Sequence, residues 1–166
     1  QMCIRDRTGM GVHLTDLMIW LFGTVDKVFA STAKRALKFK TGDVVTASLQ
    51  HSSGLNTQIT AILKTPHYQR VTIWGENGWV ELVDSSHPDT PGPSLMKMVI
   101  NDGTIKEENF EWTDTVSANI HNFIDSIQGQ SKYLFTDVEK FQNISVLEAI
   151  YKSSLSKQNE KVESFD

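Results

Sequence analysis

His13 and Asp16 stand three residues apart in "GMGVHLTDLMIWLFG" (residues 9–23), and their types and spacing suit proton chemistry. On a helix, positions i and i+3 share a face. Histidine exchanges a proton near neutral pH, and a carboxylate one turn away can orient it or bind a hydroxyl group. The same spacing also fits a purely structural couple. A polar pair at the start of an apolar helix is costly to desolvate unless each group is hydrogen-bonded. Spacing alone leaves both readings open.

Other candidates carry less. "GMGVHL" (residues 9–14) approaches the dinucleotide pattern G-x-G-x-x-G, but Leu14 occupies the last glycine position and no strand precedes it. A dinucleotide loop needs both, so the stretch reads as a helix start rather than a cofactor loop. "TPHYQR" (residues 65–70) places His67, Tyr68 and Arg70 between two strands, where they could contact a polar ligand or form a solvated turn. No G-x-S-x-G elbow precedes a helix. The acceptor pattern within "QNIS" (residues 142–145) falls on an expected helix and is set aside.

Composition narrows the classes. The chain of 166 residues has a formal net charge of −4, which argues against a nucleic-acid partner. Its basic cluster, "KRALKFK" (residues 34–40), lacks interleaved stacking aromatics and reads as a solvated strand end. The longest apolar run, "LMIWLF", is well short of the ~20 residues that span a bilayer, so no membrane association and a cytoplasmic location are expected. Cys3 is the single cysteine, which excludes an internal disulfide and gives no metal site. The leader "QMCIRDR" (residues 1–7) matches in translation a transposon end used in sequencing libraries, and is expected to be an adapter scar outside the fold.

The elements that must position these residues follow from periodicity. Val12–Phe22 reads as a buried helix closed by Gly23. Residues 25–33, 43–52 and 55–63 read as strands, the last with Leu55, Thr57, Ile59, Ala61 and Leu63 on one side. Residues 71–82 form a hairpin at Asn77-Gly78, and residues 95–112 a weaker pair around Asp102-Gly103. A helix follows with Val116, Ile120, Phe123, Ile124 and Ile127 on one face. A second helix opens on a capping box, Thr136 and Glu139, with Phe141, Ile144, Leu147, Ile150 and Tyr151 as its stripe. The polar tail, residues 159–166, is expected to fray. The order predicts an α+β fold, a mostly antiparallel open-faced sheet of about six strands with helices packed on one face.

These residues in this order resemble a known family. "GMGVHLTDLMIWLFGTVDKVFA" is similar to the segment that opens the C-terminal domain of the Gfo/Idh/MocA oxidoreductases, the glucose-fructose oxidoreductase and inositol dehydrogenase family. That segment reads D-x-G-x-H-x-x-D, then an apolar helix ending W-L-x-G. "VTIWGENGWVEL", "NFIDSIQG" and "FTDVEKFQNISVLEAIYKSS" are similar to its later motifs, so the likeness spans residues 8–158. It implies the substrate-binding and oligomerisation domain of an enzyme that moves hydride to or from a sugar, polyol or related hydroxy compound. NAD or NADP would be bound mainly by an N-terminal Rossmann domain missing here, and the fragment alone would be inactive. By the same resemblance His13 is the catalytic proton relay and Asp16, His67, Tyr68 and Arg70 bind substrate. A catalytic lysine would lie upstream, and a homo-oligomer would form through the sheet face. One position departs: Gly9 stands where polyol-oxidising members carry an aspartate. That leaves as alternatives a non-catalytic binding or dimerisation module with a decayed site, or an NAD-dependent glycosidase.

Overall fold

The computed structural model describes residues 5–37, 42–84, 86–87 and 90–164. They form two compact units, residues 1–64 with 135–166, and residues 65–134. The α+β class and the antiparallel pairing stand, with the strands divided into two four-stranded sheets.

The first unit opens with helix α1 (Arg5–Phe22), which reaches back into the leader. It stops where Gly23 turns left-handed at φ 82° and its N–H donates to the Ile19 carbonyl. The helix buries Thr15, Met18 and Ile19 but leaves Trp20 and Leu21 exposed, so it is buried on one face rather than all round. Strands β1 (Val25–Ala33), β2 (Val44–His51) and β3 (Asn56–Ile62) form an antiparallel meander. An irregularity between Val25 and Lys27 allows Val25, Val28 and Ala30 to share the buried face, opposite His51, Leu49 and Ala47. Helix α3 (Asp137–Ser156) packs on β1 and against α1.

Two expectations change in this unit. The face that α3 buries overlaps the expected Phe141–Tyr151 stripe only in part, since Ile150 is buried but Ile144 is 63% exposed and Tyr151 48%. The buried side chains are Gln142, Asn143, Ser145, Val146, Ala149, Ile150, Ser153 and Ser154. Small and amide side chains win because they serve backbone groups of β1. The Val25 N–H donates to Gln142 Oε1, and the Ala30 N–H donates to Ser153 Oγ. The described part of the tail, residues 159–164, docks on the sheet, and the last two residues lie outside the described ones. The last strand, Glu160–Lys161, pairs with β1 and Val162 is buried, anchored by its N–H to the Asp26 carbonyl.

His51 shows how firmly the end of α1 is tied down. Its Nδ1 lies 2.9 Å from the Gly23 carbonyl, which can only accept, so Nδ1 carries the proton. In the neutral ring Nε2 then accepts from Thr57 Oγ1 at 3.0 Å. The side chain is almost wholly buried. Nearby, Asp43 collects the N–H groups of Arg35, Ala36 and Leu37, folding the described part of the basic cluster around one carboxylate. Those bonds hold its pKa below the ordinary value.

In the second unit, β4 (Gln69–Gly75), β5 (Gly78–Asp84), β6 (Ser94–Ile100) and β7 (Ile105–Phe110) pair in sequence order, all antiparallel. The register puts Trp74, Trp79, Val99 and Ile105 in one cross-strand row. Helix α2 (Thr115–Ile127) starts where Asp114 accepts from the Ser117 N–H. Its apolar face, Val116, Ile120, Phe123, Ile124 and Ile127, is exposed rather than packed.

Among the described residues, no helix is long and apolar enough to cross a membrane.

Candidate active site

The middle turns of α1 carry the candidate pair. His13 is exposed, Asp16 is half-buried and Thr15 between them is buried, so one face meets solvent while the other grips the protein. Gly9 lies in the same helix. The first turn of α3 completes the local electrostatics. Thr136 caps it through the expected capping box, and the Glu139 carboxylate accepts from the Thr136 N–H at 2.8 Å and from its hydroxyl at 2.7 Å. These bonds lower the Glu139 pKa, and the helix N-terminus favours the same charge. Glu139 is therefore a fixed anion.

Its charge reaches Asp16. Partial burial is the main reason the Asp16 pKa is raised, repulsion from Glu139 adds to it, and His13 acts in the opposite direction. The site thus brings together a solvent-facing imidazole, a carboxyl group with increased proton affinity and a fixed carboxylate. Such a set can receive a hydroxyl group and take or return its proton. Glu139 was legible in the sequence as a capping residue. Its bearing on Asp16 was not, because it arises only where α3 meets α1.

The other sequence candidates lie in the second unit. His67 and Tyr68 are exposed in the segment before β4, and the His67 ring meets the His87 ring edge-on at 5.7 Å between centroids. Arg70 lies in β4 with its guanidinium 3.6 Å from Glu81, whose carboxylate also accepts from Thr72. His67 and His87 come together, and so do Arg70 and Glu81. No group of three or more potential metal ligands occurs among the described residues.

The question of a dinucleotide is answered by the backbone. "GMGVHL" lies inside α1, not at a turn between a strand and a helix, so this stretch offers no loop of N–H groups for a pyrophosphate. This segment does not fit a nicotinamide dinucleotide.

A sequence model described as the C-terminal alpha/beta domain of the oxidoreductase family, Gfo/Idh/MocA, matches residues 8–163. The chain belongs to the Gfo/Idh/MocA oxidoreductase family. Solved structures place its fold with this C-terminal domain. The WlbA dehydrogenase from Bordetella pertussis, in complex with NADH and UDP-GlcNAcA, is 21% identical with a TM-score of 0.68, over 97% of this chain and 47% of that one. An oxidoreductase from Agrobacterium radiobacter, in complex with NAD+, L-tartaric acid and magnesium, is 17% identical with a TM-score of 0.71, over 92% and 47%. A Desulfitobacterium hafniense protein assigned as an NADPH-dependent oxidoreductase is 16% identical with a TM-score of 0.80, over 94% and 47%. The Gfo/Idh/MocA chain thus spans about half the length of the structures it matches. At these identities the likeness is one of fold. Curated protein sequences give no match.

Proposed function

We propose that this chain is the substrate-binding half of an NAD(P)-dependent oxidoreductase acting on a sugar, polyol or related hydroxy compound. The observation that supports it is the placement of His13 and Asp16 on the open face of α1, beside the fixed charge of Glu139, in a chain of this family. His13 holds or moves the proton of the reacting hydroxyl, and Asp16 binds that hydroxyl or its neighbour. The dinucleotide is held by a part of the enzyme outside this chain. NADH and NAD+ in two structures of the same fold are consistent with this. His67, Tyr68 and Arg70 are proposed as further substrate contacts.

The test uses the full-length protein. His13→Ala should lower kcat by about 10²-fold or more, the usual scale for a general acid or base. An unchanged kcat would return His13 to a structural role. The 166-residue chain by itself should show no NAD(P)H formation with any hydroxy compound in a sugar and polyol panel. Gly9 favours one competing reading, a binding module whose site has decayed. A full-length protein that binds sugars but turns none over would support that reading instead.

A further inference from the structure

Asn143 reaches from α3 to the backbone that carries His13. Its Nδ2 donates to the Val12 carbonyl at 3.2 Å, and its Oδ1 accepts from the Thr15 hydroxyl at 2.5 Å. The pattern fixes the orientation of the amide. A backbone carbonyl can only accept, so the nitrogen must face Val12 and the oxygen must face Thr15. Both residues are buried, Thr15 completely and Asn143 to 7% exposure, so neither can exchange these bonds for water.

The carbonyl that Asn143 holds belongs to the peptide plane joining Val12 to His13. The helical ladder assigns the same carbonyl to the N–H of Asp16, four residues on. One amide therefore grips the group from which both candidate side chains diverge. Thr15 adds a second point of attachment on the turn between them, and its hydroxyl also lies 3.0 Å from the Gly11 carbonyl and 3.2 Å from that of Val12. Gln142 and Ser153 on the same helix serve β1 instead.

We propose that Asn143 and Thr15 are positioning residues, a two-point clamp that fixes the His13 peptide plane so that His13 and Asp16 present one geometry to substrate. The proposal rests on the functional reading of His13 given above. Helix–helix packing alone would need only volume at these positions, whereas the clamp needs a donor at Nδ2, an acceptor at Oδ1 and a hydroxyl. Polarity is thus the property to vary at constant shape.

In the full-length protein, Thr15→Val and Asn143→Leu keep volume and remove the bonds. Each should lower kcat by about 10-fold or more while leaving the KM for the dinucleotide unchanged, since small misplacements of reacting groups are costly. Thr15→Ser, which keeps the hydroxyl, should recover most of the loss. The double variant should be little worse than the poorer single one, because the two residues act as a unit. Folded Thr15→Val with wild-type kcat would overturn the clamp. Should Asn143→Leu fail to fold, Thr15→Val decides alone, since it leaves the Asn143 bond to the Val12 carbonyl in place. His13→Asn, run alongside, separates the two levels. If His13→Asn abolishes turnover and Thr15→Val does not, only the clamp is wrong; if His13→Asn is fully active, the site reading fails and the clamp falls with it.

Discussion

Half-buried Asp16, beside the anion of Glu139, is held with a pKa above its ordinary value of 3.8, chiefly by burial. For a group raised on folding, the stability it contributes is present below the unfolded pKa and is lost as pH rises through the folded pKa. Asp16→Asn should therefore raise Tm at pH 7, with a gain that shrinks as pH falls toward 3.8. Turnover of the full-length protein should fall at the same time, the trade expected where a site keeps a strained charge for its chemistry. Asp43 has the opposite sign. Its pKa is lowered, first by the Arg35 N–H, so its contribution is present above the unfolded value and lost as pH falls through the folded one. Asp43→Ala should thus lower Tm more at pH 7 than in acid. Neither shift could be read from the sequence, where Asp43 was only the residue opening a strand. His13 and Asp16 could be singled out there because a polar pair at helical spacing in an apolar run is a local feature.

Helix caps and turns were legible for the same reason, since their signals lie within a few residues. The Thr136–Glu139 capping box appears as expected, and so does the hairpin of residues 71–82, although its two turn residues are Glu76 and Asn77 and Gly78 already pairs with Gly75. Gly78 shows how strict such a signal can be. Its φ is 146°, and a Cβ there would lie 2.1 Å from the Val99 carbonyl oxygen. Gly78→Ala should cost at least ~2 kcal/mol and disrupt the pairing of β4, β5 and β6, measurable by denaturant unfolding. The core face of α3 was legible only in part. Its apolar stripe suggested one face, but β1 presents N–H groups that Gln142 and Ser153 must satisfy, and this requirement outweighs the hydrophobicity of Ile144 and Tyr151. His51 belongs with these element-tying groups. Replacing it with Leu strands the Gly23 carbonyl and should cost about 1–3 kcal/mol by the same measurement.

For the molecule as a whole, burial is unevenly distributed. Every fully buried residue among those described, from Thr15 to Val162, belongs to the first unit. The second unit leaves Trp74 77% exposed, with Ile105 and the apolar face of α2 open as well. Native-state hydrogen exchange should accordingly find β1 and β2 amides the slowest and those of β6 and β7 opening at lower denaturant, because local stability follows buried contacts. The homo-oligomer expected through the sheet face can be tested at the row of Trp74, Trp79, Val99 and Ile105, where Trp74 and Ile105 are exposed. Trp74→Glu should then shift the full-length protein to a smaller species in light scattering, and an unchanged mass would exclude this row.

By itself the sequence determined the class of fold, the succession of helices and hairpins, and the likeness to the Gfo/Idh/MocA family, since each is written in short-range pattern or in the order of motifs. It also placed His13 and Asp16 on one helix face. Only the tertiary structure decided that the strands divide into two sheets, that the tail docks on β1, and that α3 buries amides and hydroxyls beside Val146, Ala149 and Ile150. It alone brought Asn143 to the Val12 carbonyl and set Glu139 beside Asp16. These outcomes depend on which buried polar groups must find partners across the fold, and nothing local to either partner specifies the match.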